Sequence, residues 1–169
     1  REKPLGAIPG VESVVPVMKP YKLVAQENGS LPPPVSIGDV KIGSGQRVAL
    51  ISGPCSVESK ERLLVIAKAV KKAGARVLRG GAFKPRTSPY SFQGLGEDGL
   101  RYLAQARAAT GLPIITEIMD TRDLERVEQY ADCLQIGSRN MQNFALLKEV
   151  GRSRLPVMYP RTWTRSSRE

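Results

Sequence analysis

Aromatic residues make up only 5% of the 169-residue chain, and their scarcity argues against one obvious use of a basic protein. Nucleic-acid surfaces set cations along one helix face or interleave them with exposed aromatics that stack on bases, and so few aromatics leave little for the second pattern. No apolar run approaches the roughly 20 residues of a membrane span, so no membrane role is expected. No signal peptide opens the chain, which starts at Arg1 without a methionine and reads as a cut end. Cysteine is confined to Cys55 and Cys133, far apart and in no metal-finger spacing. That excludes a disulfide scaffold and predicts a reduced, cytoplasmic setting.

What the chain has in excess is positive charge: 26 Lys and Arg against 16 Asp and Glu give a net charge of +10. The hydrophobic share, 41%, is that of a soluble globular protein with room for one core. Because several cations fall at predicted strand ends, small anions in a pocket are the expected partners.

The first 25 residues hold a short apolar segment, 11–18, and a possible strand, 21–25, too little to fold alone. Residues 26–34 shift to Asn, Gly, Ser and three consecutive prolines, a stiff linker that sets a boundary. Residues 35–42 and 47–52, separated by Gly43-Ser44-Gly45, predict a β-hairpin whose second arm continues into the domain. From there short apolar strands (47–52, 75–78, 113–117, 133–136, 156–159) alternate with amphipathic helices (59–73, 98–109, 122–130, 144–150). In the first helix Leu63, Ile66, Ala67 and Val70 form one apolar face. The third starts behind the capping pair Asp120-Thr121, with Leu124, Val127 and Ala131 facing inward. Such alternation predicts a parallel α/β sheet with helices outside it.

An open doubly wound sheet and a (β/α) barrel both meet this description, and the distribution of chemistry separates them. Candidate residues follow strand after strand: Gly53-Pro54-Cys55-Ser56, the loop from Arg79, Glu117, and Gly137-Ser138-Arg139-Asn140. Convergence from successive strand C-termini is the barrel pattern, whereas a doubly wound sheet concentrates its ligand loops at one switch point.

The loop from Arg79 to Leu95 organises the rest. Arg79, Lys84 and Arg86 fall within eight residues, spaced by Gly80-Gly81 and stiffened by Pro85 and Pro89, with Thr87 and Ser88 as hydroxyl donors. Arg suits bidentate pairing with carboxylate or phosphate, and Lys acts as a compact point charge. A solvated basic loop is the alternative. It has no need of paired glycines, two prolines and the buried-looking aromatics Phe83, Tyr90 and Phe92 together, whereas a rigid site for a doubly anionic substrate does.

Gly53-Pro54-Cys55-Ser56, the whole 79–95 loop and the run Ile136-Gly137-Ser138-Arg139-Asn140-Met141-Gln142-Asn143-Phe144 resemble 3-deoxy-D-arabino-heptulosonate 7-phosphate (DAHP) synthase. The likeness is to the branch related to 3-deoxy-D-manno-octulosonate 8-phosphate synthase. It covers roughly residues 36–158, while residues 1–25 resemble the tail of a ferredoxin-like regulatory domain. Lys84-Pro85-Arg86-Thr87 is the specific part, since the octulosonate enzymes carry an Asn-containing loop there. An octulosonate synthase is the closer alternative, and a non-catalytic basic binding module is an alternative of another class.

The resemblance implies condensation of phosphoenolpyruvate with erythrose 4-phosphate, the first step of the shikimate pathway, in a homo-oligomeric, metal-dependent enzyme. It assigns phosphoenolpyruvate to Arg79, Lys84, Arg139 and the backbone at Ser138, and erythrose 4-phosphate to Arg86 and Thr87. Glu117 is implied as an acid/base that orients the attacking water; a salt-bridge partner for the arginines is its other reading. Cys55 matches the family's metal-binding cysteine, where a thiolate favours a divalent ion of the Mn, Fe, Co or Zn type; a small buried hydrophobe is the alternative. Cys133 reads as core.

Departures from the family pattern set further expectations. The chain has no histidine, yet the family's metal site adds a histidine, a glutamate and an aspartate to its cysteine. After Met158 the family continues Leu-Lys-Arg-Gly, with a lysine on phosphoenolpyruvate; here Tyr159-Pro160-Arg161-Thr162 stands, followed by a divergent basic tail, 159–169. The expected fold is therefore an incomplete (β/α)8 TIM barrel of five strands and four helices, preceded by a hairpin, against about 250 residues for a whole one. Such a truncated or frame-shifted chain is expected to lack activity, to leave the inner sheet face and both edges open to solvent, and to be marginally stable and self-associating.

Overall fold

The computed structural model describes residues 9–11 and 32–159. Contacts divide the chain into Arg1–Pro32 and Pro33–Glu169, and the second unit holds every strand and helix described below. All but a few residues of the expected 1–25 segment and 26–34 linker, and all of the tail beyond Tyr159, lie outside the described residues.

The hairpin forms earlier than the spacing predicts. Strands β1 (Val35–Ile37) and β2 (Val40–Ile42) pair antiparallel, Val35 opposite Ile42 and Ile37 opposite Val40. Gly38-Asp39 makes the turn, Gly38 at φ +57°, a conformation that costs glycine little. Gly43-Ser44-Gly45 therefore ends the hairpin instead of turning it, and residues 47–50 form no strand.

The main sheet has five parallel strands, β3 (Ile51–Ser52), β4 (Val77–Arg79), β5 (Ile114–Ile118), β6 (Cys133–Ile136) and β7 (Val157–Met158). They lie side by side in chain order, without the reversal of a doubly wound sheet. The connections carry α1 (Lys60–Lys72), α2 (Glu97–Thr110), α3 (Leu124–Glu128) and α4 (Phe144–Val150). This is a half-barrel, as the strand-by-strand chemistry predicts. Helix ends follow local chemistry: the Ser59 side chain accepts from the Arg62 amide at 3.2 Å to cap α1, and Gly111, left-handed at φ +72°, closes α2. The expected helix over 122–130 is shorter, a 3-10 turn at Thr121–Asp123 that leads into α3.

The period of two along each strand separates two cores. Leu78, Ile114, Ile118, Leu134 and Ile136 face the helices and pack with Leu63, Ala67, Leu100 and Leu103. Val77, Ile115 and Cys133 face the other way and are buried with Ile37 and Val40 of the hairpin. The expectation of an inner face left to solvent is thus corrected: the hairpin covers its lower part, and Val77 and Ile115 are fully buried. Exposed apolar side chains remain around the edge strands, at Val48, Leu50, Val157 and Tyr159.

Candidate active site

Two residues beyond the apolar layer of Val77, Ile115 and Cys133, the inner face carries Arg79, Glu117 and Gln135. The strand pleat therefore places three polar groups together at the C-terminal end of the sheet. Glu117 is only 7% exposed and lies opposite Gln135 in the β5–β6 register. The Arg79 guanidinium sits among neutral and charged acceptors: Nε donates to Gln135 Oε1 at 3.2 Å, Nη1 to the Cys55 carbonyl at 3.3 Å, and Nη2 stands 3.9 Å from Glu117 Oε2. Close approach is possible because position 137 is glycine; a Cβ there would overlap the Glu117 carboxylate.

The basic loop folds back on itself above this layer. Lys84 N donates to the Gln93 carbonyl at 2.8 Å, Gly96 N to Ala82 O at 3.0 Å, and Val57 N to Gly81 O at 3.0 Å. Lys84 is consequently only 5% exposed, and its Nζ points to Cys55 Sγ at 3.6 Å. Arg86 Nε is held by the Phe92 carbonyl at 3.0 Å, and Arg139 Nη1 donates to the Pro85 carbonyl at 2.7 Å. Arg79 and then Lys84 hold the Cys55 thiol below its usual value, whereas burial pushes the Cys133 thiol up to about 11.

These groups surround one cleft of about 320 Å³, lined by Cys55, Arg79, Lys84, Arg86, Glu117, Ser138 and Arg139 among others. A neighbouring depression of about 370 Å³, between Pro54 and the start of α1, shares Cys55 and Arg86 but holds none of the other convergent groups. Of the expected site residues only Thr87 lies outside the cleft, on the exposed part of the loop. Tyr90 and Phe92 are not the buried aromatics that the sequence suggests: they are 97% and 45% exposed, and only Phe83 packs against the core. Gln135 escapes the sequence reading. Counting by twos from buried Cys133 would have placed Gln135 on the inner face.

The cleft gathers four cationic side chains, Arg79, Lys84, Arg86 and Arg139, around one buried carboxylate, Glu117. Among the described residues its donors do not fit a divalent metal. Cys55 is the one thiol in the cleft, the chain has no histidine, and among the described residues no three His, Cys, Asp or Glu side chains group as ligands. A catalytic metal needs about three protein ligands.

Comparison with known proteins is consistent across sequence and structure. Residues 22–164 match the DAHP synthetase I family. Over 151 residues the chain is 52% identical to phospho-2-dehydro-3-deoxyheptonate aldolase of Thermotoga maritima, covering 89% of this chain and 44% of that protein. A 2-dehydro-3-deoxyphosphooctonate aldolase of Syntrophotalea carbinolica is 35% identical over 130 residues, 73% of this chain and 47% of the relative. The crystal structure of the Thermotoga maritima DAHP synthase superposes with a TM-score of 0.77 at 50% identity, covering 90% of this chain and 44% of that one. A truncated form of the heptulosonate synthase from the same organism gives 0.72 at 42% identity, over 85% and 51%. The chain spans about half the length of these relatives, and by family match, identity and fold it belongs to the DAHP synthetase I family.

Proposed function

We propose that the chain carries the phosphoenolpyruvate site of a DAHP synthase, which condenses phosphoenolpyruvate with erythrose 4-phosphate and releases phosphate. The observation that carries the reading is Lys84. A buried ammonium is costly unless an anion answers it, yet among the described residues Lys84 faces no carboxylate, only Cys55 Sγ. With Arg79 and Arg139 in the same cleft, the deficit is of negative charge. Phosphoenolpyruvate, with a phosphate and a carboxylate on one small frame, supplies it.

In this reading Arg79, Lys84, Arg139 and the backbone at Ser138 hold phosphoenolpyruvate, and Arg86 and Thr87 hold the phosphate of erythrose 4-phosphate. C3 of phosphoenolpyruvate bonds to the aldehyde carbon, whose oxygen takes up a proton. A water oxygen bonds to C2, and the C2–O bond breaks so that phosphate leaves with the bridging oxygen. Glu117 orients that water and accepts its proton. The family's divalent ion, of the Mn, Fe, Co or Zn type, would require donors beyond those grouped here. A homo-oligomer working in the cytoplasm, without nucleic acid or membrane, completes the proposal.

Calorimetric titration tests it, with binding as the readout, since turnover by this chain is not expected without the metal donors. Phosphoenolpyruvate should bind at a single site, and Arg79→Ala or Lys84→Met should weaken it at least tenfold, the scale of a lost charge-assisted contact. Binding that survives both changes would place the substrate elsewhere. Preferential binding of a nucleic acid that weakens steeply with salt would favour the basic-module alternative.

A further inference from the structure

We propose that Gln135 is a positioning residue: it aims the Arg79 guanidinium at the bound anion while adding no counter-charge of its own. The inference rests on reading the cleft as an anion site of the kind described above.

Arginine in this protein is held in two ways. Arg107 meets both oxygens of Asp132 at 2.9 Å, a close ion pair that cancels its charge locally. Arg79 meets the Gln135 amide oxygen at 3.2 Å and the Cys55 carbonyl at 3.3 Å, both neutral. Its nearest carboxylate, Glu117, forms a looser ion pair at 3.9 Å, beyond hydrogen-bond reach. Two neutral acceptors on Nε and Nη1 fix the plane of the guanidinium, and its Nη2 edge, which meets only the Cys55 thiol and the more distant Glu117 carboxylate, faces the cleft where a phosphate or carboxylate would be met.

Gln135 occupies the position this task requires. It lies on β6 directly opposite Glu117 and next to Met158 of β7, lines the same cleft, and reaches Arg79 from two strands away. A carboxylate of the same size would hold Arg79 equally well, but it would spend on the protein the charge that the ligand needs. An apolar side chain would leave the guanidinium free to turn.

The test titrates inorganic phosphate and phosphoenolpyruvate separately into the 169-residue chain and its variants by calorimetry. Gln135→Met keeps the volume and removes the acceptor; it should weaken both ligands by about tenfold, the scale of one hydrogen bond to a charged group. Gln135→Glu keeps the acceptor and adds charge, and should weaken both at least as much. In an Arg79→Ala background the Met change should have no further effect, a coupling that a merely structural role would not produce. Circular dichroism checks the fold, and if the Met variant fails to fold, the Glu variant carries the test.

The proposal is overturned if Gln135→Met binds within twofold of wild type, if its loss persists without Arg79, or if Gln135→Glu binds more tightly. Phosphate binding without preference for phosphoenolpyruvate would remove the substrate reading while still scoring Gln135. Binding of neither ligand would remove both.

Discussion

Lys84 Nζ and Cys55 Sγ stand 3.6 Å apart, one brought by a folded-back loop and the other by the turn after β3. With Arg79 also at hand, the Cys55 thiol is held below its ordinary value, because neighbouring cations favour the thiolate. Alkylation by iodoacetamide should therefore label Cys55 with a pH midpoint below that of a free thiol, and leave buried Cys133 untouched in the folded chain. Lys84→Met should move the midpoint upward. An unchanged midpoint in that variant would remove Lys84 from the account.

Asp120 offers a second, independent titration. Arg122 holds its carboxyl at about 2, below the ordinary 3.8, through side-chain and then backbone hydrogen bonds. Because the folded value is the lower one, the stabilisation is fully present above the unfolded value and is lost as pH falls through about 2. NMR titration should find the Asp120 midpoint near 2 and see it return towards 3.8 in Arg122→Ala. A midpoint near 4 in the wild type would contradict the pairing.

Gly137 is required by what stands against it. Its φ of −72° suits any residue, but an added Cβ would overlap the Glu117 carboxylate. Gly137→Ala should cost about 1–3 kcal/mol by overpacking, read from urea unfolding. The same change in a Glu117→Ala background should cost much less. Equal costs in the two backgrounds would show that the carboxylate can step aside.

Much of this arrangement is readable from sequence, and the parts that are not have identifiable reasons. Strand 133–136 and helix 144–150 fall on the expected residues, since apolar periodicity is strong there and turn residues bound both. Arg79 and Glu117 are recognisable as charged residues within short apolar strands, and Lys84 and Arg139 as cations in the loops that follow β4 and β6. The hairpin is misplaced because Gly38-Asp39 and Gly43-Ser44-Gly45 are both competent turns. The choice is made by burial of Ile37 and Val40 beneath the sheet, which local sequence cannot show. Tyr90 and Phe92 mislead for a related reason: aromaticity reports the capacity to be buried, not the presence of something to be buried against.

That hairpin contact yields the fourth prediction. Ile37→Ala should cost about 2–4 kcal/mol and raise dye binding, as large-to-small changes in a packed core do. Val48→Ala, at a side chain 99% exposed, should stay within about 0.5 kcal/mol. The edges of β3 and β7 carry no strand partner among the described residues, so size-exclusion chromatography should show concentration-dependent association. A monomer at all concentrations, with Ile37→Ala as stable as wild type, would show that the hairpin covers nothing of consequence.

The apolar layer beneath the cleft also shapes its reach into solution. Val77, Ile115 and Cys133 form a weakly polarisable floor under Arg79 and Glu117, and field lines from the cations above it are turned outward instead of being absorbed below. The mouth of the half-barrel should therefore act as a collector. Anionic metabolites should be drawn in faster than diffusion alone would bring them, with an association rate that falls as ionic strength rises, while ligand and protein are still several ångströms apart.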